Sequence, residues 1–164
     1  LAMVRPSPQV TTNSHQTDRN RVMSANIVAI ADAVTAELNG HSFSQPFAAR
    51  RLYLPVFDLQ SMSDLKVTVV PRGISSSALD RSRDSFDYQI DVAVQKKTPT
   101  DVATIDALML LVEEIGDHFR SNPLSSYPGA RCTGVENTPV YAPDHLHELR
   151  QFTSVLTLTF RLWR

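Results

Sequence analysis

The stretch SFDYQIDVAVQKKTP, from Ser85 to Pro99, decides most of the fold. Apolar and polar residues alternate in it as far as Val94, and a period of two residues is typical of a β-strand that buries one face. The apolar face carries Tyr88, Ile90, Val92 and Val94. The other face carries Asp87, Gln89, Asp91 and Gln95, so we expect it to meet water or a polar partner.

Three further segments have the character of strands. DLKVTVVP, residues 64–71, alternates in the same way and is predicted to end at the following Arg72-Gly73. RQFTSVLTLTFRLWR, residues 150–164, is long and two-faced, and its length suits full pairing with the 85–97 strand. ARRLYLPVFD, residues 49–58, is a weaker candidate, because Pro55 offers no backbone donor and fits only a sheet edge or a bulge.

Two amphipathic helices are predicted from apolar residues at spacings of three and four. In residues 24–39 these are Ile27, Ile30, Ala31, Val34 and Leu38, with Ser24 or Asn26 as the cap and Asn39-Gly40 as a left-handed stop. The second helix begins at Pro99-Thr100-Asp101 and ends at Asn122-Pro123. Its stripe consists of Val102, Ile105, Leu108, Val112, Ile115 and Phe119.

Two connections stand out between these elements. Residues 74–84, ISSSALDRSRD, are polar and serine-rich, and they are predicted to form a long exposed connection instead of a tight hairpin turn. Residues 121–149 carry many prolines and glycines and are predicted to form a loop. Loops of more than roughly 15 residues are usually functional or become ordered on a partner.

The order of elements predicts an α+β fold, with a small antiparallel or mixed sheet of about four strands and two helices packed on one face. Residues 1–22 have no hydrophobic periodicity and are predicted to be a flexible tail or extension. An alternative is an arm that becomes ordered against a neighbouring subunit. Residues 23–164 then form a single domain with its long loop at 121–149.

Composition limits the function. The formal net charge is −1, which gives no basic field of the kind that holds nucleic acid backbones. No apolar run has the roughly 20 residues of a membrane span. The single cysteine, Cys132, excludes an internal disulfide framework and a zinc site of several cysteines, and it fits a protein made in a reducing cytosol.

Candidate chemistry is sparse. PDHLHELR holds Asp144, His145, His147 and Glu148, which are metal-ligating residue types, but it lacks an H-E-x-x-H frame, and His15, His41 and His118 occur singly. A thiol- or metal-dependent enzyme centred on Cys132, His145 and His147 is therefore an alternative, as is a binding module that captures a ligand with the 121–149 loop. We expect neither, and predict no catalytic residue, no metal site and no cofactor.

Basic residues flank the second and third strands, and they are predicted to form a solvated rim or to dock on an acidic partner surface. They are Arg72, Arg81, Arg83, Lys96 and Lys97. Partly apolar second faces, at Val70 and Ala93 and at Val155 and Trp163, exceed what helices on one face can cover. Further copies of the chain would cover this excess, and a rotationally closed arrangement of copies is a ring.

The segments LKVTVVPRG, DSFDYQIDVAVQKK, DVATIDALMLLVEEIGDHF and FTSVLTLTFRL, in this order after an amphipathic helix, resemble the tail terminator and neck (head-to-tail joining) proteins of long-tailed bacteriophages and prophages. The resemblance spans about residues 23–164. It implies a small α+β fold, no enzymatic activity, and a homo-oligomeric ring, commonly a hexamer, that caps the tail tube and joins it to the head connector.

The same resemblance implies partners and a location. The expected partners are further copies of the chain, the tail tube protein and head connector or neck proteins, with no membrane, and with DNA only passing through the lumen of the ring. The expected location is the virion tail, after assembly in the host cytoplasm. The residues predicted to form interfaces are Arg72, Arg81, Arg83, Asp87, Gln89, Asp91, Lys96, Lys97, His145, His147 and Trp163.

Overall fold

Five strands and three helices make up the part of the chain that the computed structural model describes, which is residues 24–54, 63–78 and 84–163. In chain order they are α1 (Asn26–Gly40), β1 (Ala49–Arg51), β2 (Lys66–Ala78), β3 (Asp84–Lys97), α2 (Val102–Ser121), β4 (Arg131–Glu136), α3 (Pro143–Leu149) and β5 (Gln151–Trp163). The predicted α+β class is confirmed. The sheet has one strand more than expected, and a third, short helix is added.

The sheet is mixed, with the strand order β1-β2-β3-β5-β4. β1 pairs with β2 in parallel, and every other neighbouring pair is antiparallel. β3 and β5 pair along their whole length, from Ser85 opposite Trp163 to Lys97 opposite Gln151. The predicted adjacency of these two long strands is therefore confirmed.

The core lies between one face of the sheet and the two long helices. α1 packs on β1 and β2, and α2 packs on β4 and β5. The alternation of β3 gives the expected result, since Ile90, Val92 and Val94 are fully buried. In α2, a Cβ at Gly116 would lie 3.3 Å from the side chain of Val135, so glycine lets this helix approach the sheet closely.

The predicted ends of α1 are wrong. Ala25 is the N-cap residue, and its methyl side chain has no atom that can accept a capping bond. Asn26 is the first helical residue, and its amide donates to the Tyr88 hydroxyl at 3.4 Å. Gly40 is the last helical residue and has no left-handed conformation, and the chain leaves the helix at His41 in an extended conformation. Asn39 has a different role, since its amide holds the backbone of Ala49 in β1.

The predicted end of the second strand is also wrong. β2 continues past Pro71 to Ala78, and β3 starts at Asp84, so much of the expected long connection is strand. A register shift between Pro71 and Gly73 lets the strand pass the proline. The serine-rich run has no apolar signal of its own, and it is a strand because β3 provides a complete ladder of partners beside it.

The 121–149 segment contains β4 and α3, so the prediction of a long loop there is wrong. The apolar–polar alternation of residues 131–136 is too weak to identify a strand. These residues form β4 because β5 provides backbone hydrogen-bond partners beside them. β1 takes the predicted edge position but is only three residues long, since Leu52 to Leu54 lie outside it. The rest of that candidate strand, Pro55 to Asp58, and residues 1–22 lie outside the described residues.

Candidate functional site

The two ends of the sheet differ in how their edges are covered. At one end, which we call the closed end, β1 pairs with Val67–Val69 of β2. On the opposite edge of this end the segment 137–149 lies along β5, where the Ala142 N–H donates to the Thr153 carbonyl at 2.9 Å. The other end, which we call the open end, comprises β2 from Val70 onward, the paired parts of β3 and β5, and β4.

Both outer edges of the open end lack a strand partner among the described residues. β1 stops at Arg51, opposite Val69, so no described strand lies beside Val70–Ala78 of β2. β4 pairs with β5, and none of the described strands lies on its other side. Unpaired edges present rows of backbone N–H and C=O groups that can pair with another chain.

The sheet face away from the two long helices, which we call the polar face, carries a hydrogen-bond network across three strands. The Thr157 hydroxyl of β5 donates to the Asp91 carboxylate of β3 at 2.8 Å. The Arg72 guanidinium of β2 donates to the Thr157 hydroxyl at 2.8 Å and to Asp91 at 3.3 Å. About half of the Arg72 side chain, 54%, remains exposed, so it can also meet a partner.

A second cross-strand contact lies one step nearer the tip of the open end. The Arg161 guanidinium donates two hydrogen bonds of 2.7 Å to the two carboxylate oxygens of Asp87. These bonds lower the pKa of the Asp87 carboxyl, and partial burial opposes them only in part. Gln89 lies exposed on β3 between the two ionic contacts. The prediction that this face of β3 meets water or polar groups is confirmed at Asp87, Gln89 and Asp91, and the two carboxylates are neutralised within the chain. It is wrong for Gln95, which is fully buried.

The structure separates the predicted interface residues into two groups. Those at the open end are Arg72, Asp87, Gln89, Asp91 and Trp163. Those at the closed end are Lys96, Lys97, His145 and His147. Arg81 and Arg83 lie outside the described residues. The predicted set is therefore not one continuous surface, and its interface role stays a prediction.

The predicted apolar excess on the polar face is smaller than expected. Ala93 is only 4% exposed and Val70 is partly buried, whereas Val155 and Trp163 are 38% and 49% exposed. The two exposed residues lie far apart on β5 and make no continuous apolar patch. A free edge is thus a more prominent feature of this structure than a free apolar face.

The Cys132 thiol does not have the environment of a catalytic nucleophile. It lies half-buried on the side of β4 that faces the core, with its sulfur 3.6 Å from the Gly134 carbonyl. Burial raises the pKa of this thiol, so the protonated form dominates at neutral pH. A catalytic cysteine needs the opposite shift. The thiol-dependent alternative therefore has no support from this geometry.

The histidines do not form a metal centre in the part of the chain that is described. His145 and His147 are two positions apart in α3, where side chains do not face each other. The His145 Nδ1 atom lies 3.1 Å from the Thr153 hydroxyl. No group of three or more histidine, cysteine, aspartate or glutamate residues among the described ones is placed to hold a metal ion.

Two histidines that the sequence treats as isolated lie together. The His41 and His118 rings have centroids 4.4 Å apart, and the Glu37 carboxylate lies 3.6 Å from the His118 Nε2 atom. Burial lowers the pKa of His118 and His41 lowers it further, against the smaller opposing effect of Glu37. This cluster connects α1 with the end of α2, and nothing in its spacing along the sequence reveals it.

Two cavities bear on the ligand-binding alternative. One of about 740 Å³ lies between the 45–52 segment and the start of β2, with Lys66 and Lys96 in its lining. The other, of about 300 Å³, lies between α2 and β4 and is lined by Val135 and Asn137 of the 121–149 segment. The larger cavity is therefore not formed by that segment.

No helix among the described residues is both long and apolar enough to cross a membrane.

Similarity to known proteins is found among solved structures. No protein-family model matches the chain, and no curated protein matches it significantly. Among solved structures, the chain is similar to the sheath/tube terminator, in the extended state, of an extracellular contractile injection system, PVC, solved by cryo-EM. The TM-score is 0.47 at 18% sequence identity, and the match covers 87% of this chain and 58% of the other. The chain thus spans less than two thirds of that protein.

Proposed function

We propose that this protein is a structural component of a phage-like tail, a ring-forming terminator that caps the tail tube and joins it to the head connector. Its partners are further copies of itself, the tail tube protein and neck proteins. It acts in the virion tail after assembly in the host cytoplasm. The order and character of its elements, which resemble those of the tail terminator and neck proteins, support this proposal.

The observation that carries the proposal is the pair of unpaired strand edges at the open end. Within residues 24–54, 63–78 and 84–163, no strand lies beside the outer edges of β2 from Val70 to Ala78 and of β4 from Arg131 to Glu136, which are on opposite sides of one sheet. Soluble proteins usually protect such edges, because they invite association. A protein whose work is to assemble with its own copies has a reason to keep them.

The polar face also suits a joining protein. Asp87 and Asp91 on this face are paired with Arg161 and Arg72, so these four charges are already compensated within a single copy. Copies placed around an axis leave a lumen through which DNA passes. Six copies are the number we propose, in line with the resemblance. The exposed Trp163 at the tip of the open end offers an aromatic anchor for the tube or the connector.

Native mass spectrometry and electron microscopy test this function. We expect the purified protein to form rings, and to appear at one end of purified tail tubes from its own source. The variant Leu110→Ser changes an exposed residue of α2 that lies on neither edge, and it serves as the matched control that keeps both properties. A protein that remains monomeric at high concentration and ignores tail tubes contradicts the proposal.

A further inference from the structure

We propose that β4 of one copy pairs antiparallel with the outer edge of β2 of the next copy, so that one β-sheet continues from subunit to subunit. This inference deepens the proposed function and rests on it in one respect, because it takes a second copy of this chain as the occupant of the edge. The two edges differ from each other, so the contact is head-to-tail.

The pairing registers place the two free edges at the same level of the sheet. Across the strands, Arg131 lies opposite Arg161, Arg161 opposite Asp87, and Asp87 opposite Ser75. At the other limit, Glu136, Thr157, Asp91 and Val70 form one row in the same way. Hence β4 shares its five levels with Val70–Ser75 of the free part of β2, which continues beyond them to Ala78.

The strand directions also agree. β2, β3, β5 and β4 alternate in direction across the sheet, so β4 of a neighbouring copy placed beside β2 runs antiparallel to it. Because the free edges share a level, the copies meet without a slide along the strands. A slide repeated at each contact builds a helical filament, whereas a contact without one is compatible with a closed ring.

The register brings complementary side chains together. Ile74 is 56% exposed on the side of the sheet that bears the helices, and it comes to lie opposite Cys132, which is on the same side in the next copy. On the polar face, Glu136 comes opposite Val70, one diagonal step from Arg72. Cross-strand diagonal neighbours are about 7–8 Å apart, within reach of long side chains. Both charged residues are exposed in the single chain.

The closed end cannot make the same contact. β1 covers Val67–Val69 of β2, and the 137–149 segment covers the edge of β5. The pairing is therefore limited to the five levels between the Arg131 and Glu136 rows. This limit blocks a shift toward β1. A shift in the other direction places β4 beside Ser76–Ala78, whose outer edge is also free among the described residues, and trapping from position 76 distinguishes that register.

Disulfide trapping tests the register with the native thiol. In the variant Ile74→Cys, the new thiol and Cys132 of the next copy lie on directly opposed residues, and oxidation with diamide is expected to give a ladder of covalent oligomers. Within one chain three strand spacings of about 4.8 Å separate the two residues, beyond the roughly 7 Å that a disulfide spans between Cα atoms. Every link is therefore between copies.

Two matched variants complete the trapping experiment. Ile74→Cys combined with Cys132→Ser removes the partner thiol and is expected to give no ladder. Ser76→Cys moves the thiol two residues along the same face and is expected to crosslink at least tenfold more slowly. Crosslinking as readily from position 76, or dimers that persist without Cys132, overturns the proposed pairing.

Charge reversal gives a second test that needs no oxidation. Because Arg72 also bonds Asp91 and Thr157 within its own chain, only its proposed partner is changed. Glu136→Arg is expected to raise the concentration needed for assembly at least tenfold, since it places a second guanidinium diagonal to Arg72, and Glu136→Gln is expected to raise it less. Equal effects of the two variants overturn the ion pair. If the protein forms rings but the Ile74→Cys variant gives no disulfide ladder, this interface is refuted and the proposed function stands. If the ladder forms but the rings do not bind tail tubes, the interface stands and the proposed function is refuted.

Discussion

The closed end and the open end of the sheet share the strands β2, β3 and β5 and differ in what lies beside them. At the closed end, β1 and the 137–149 segment satisfy the outer edges, and α3 adds contacts to β5. At the open end, β2 and β4 expose their outer edges among the described residues. β3 and β5 pass through both ends without a break in their pairing.

This difference teaches that one sheet can separate stability from assembly. Buried apolar area stabilises the fold wherever the helices cover the sheet, whereas an unpaired edge adds little to the stability of a single chain. Changes at the closed end are therefore expected to affect unfolding, and changes at the open end to affect association. Four predictions test this separation, in order of decreasing effect.

The largest contrast is between Phe152→Ala and Ile74→Ala. Phe152 is fully buried at the closed end and its ring stacks on Tyr141 with centroids 6.4 Å apart, so its truncation is expected to cost about 3–5 kcal/mol. Ile74 is 56% exposed at the open end, so Ile74→Ala is expected to lower the free energy of unfolding by less than about 1 kcal/mol. Urea unfolding of both variants measures the difference. Equal losses contradict the separation.

The second prediction concerns the hydrogen bonds that hold β1 at the closed end. The Asn39 amide donates to the Ala49 carbonyl at 3.0 Å, and the Ala49 N–H donates back to it at 2.8 Å. Asn39→Ala is expected to lose about 1–2 kcal/mol and to speed hydrogen exchange in β1. Gly40→Ala is the matched control, because a Cβ there meets no atom within 4 Å. It is expected to stabilise the helix by about 0.5–1 kcal/mol.

The third prediction is a smaller effect at the open end. Asp87→Asn weakens the contact with Arg161 and is expected to cost at most about 1 kcal/mol at pH 7, as for other exposed ion pairs. Because the folded-state pKa of Asp87 is lowered, its contribution is complete above the ordinary value of 3.8 and disappears as the pH falls through the folded value.

Unfolding measured between pH 7 and pH 2.5 checks this sign. The stability difference between the parent protein and Asp87→Asn is expected to shrink as the pH falls below 3.8. Gln89→Ala, on the same face between the two ionic contacts, is expected to show no such pH dependence. A difference that stays constant, or grows, as the pH falls below 3.8 contradicts the ion pair as its cause.

The smallest expected effect is a pH dependence of stability that comes from His118, where the end of α2 meets α1. The pKa of His118 is lowered from 6.5, so the unfolded chain takes up a proton before the folded one does. Stability is therefore complete above pH 6.5 and declines as the pH falls below it toward the folded value. His118→Phe is expected to remove this decline in thermal melts at pH 7.5 and 5.5, whereas His147→Gln, on the exposed face of α3, is expected to keep it.

Much of the fold is predictable from local pattern. The period-two alternation of β3 and β5 gives their faces, their matching length gives their adjacency, and the three- and four-residue spacing of α2 gives its extent within a residue or two. Asp101, in the predicted start of α2, is the N-cap residue of that helix, and its carboxylate accepts from the Thr104 N–H at 3.0 Å. Because each of these elements buries one continuous apolar face, its periodicity is visible in the sequence.

The candidate site is less predictable. Ser75 to Ala78 and the strand Arg131–Glu136 have no convincing alternation, because they lie at edges with much of their surface in water. The sequence does suggest that the face of Asp87, Gln89 and Asp91 is polar. It does not show that Arg161, 74 positions away from Asp87, neutralises it, since the β3–β5 register brings the two together.

By itself, the sequence determined the fold class, the long helices, the two central strands and the inward or outward direction of their side chains. The tertiary structure alone decided which edges are covered, where β4 and α3 lie, and that the two free edges share one level. The physical reason is the distance along the chain between the residues that interact. Periodicity records how each residue partitions between water and core, whereas an edge is defined by the presence or absence of a neighbour that lies far away along the chain.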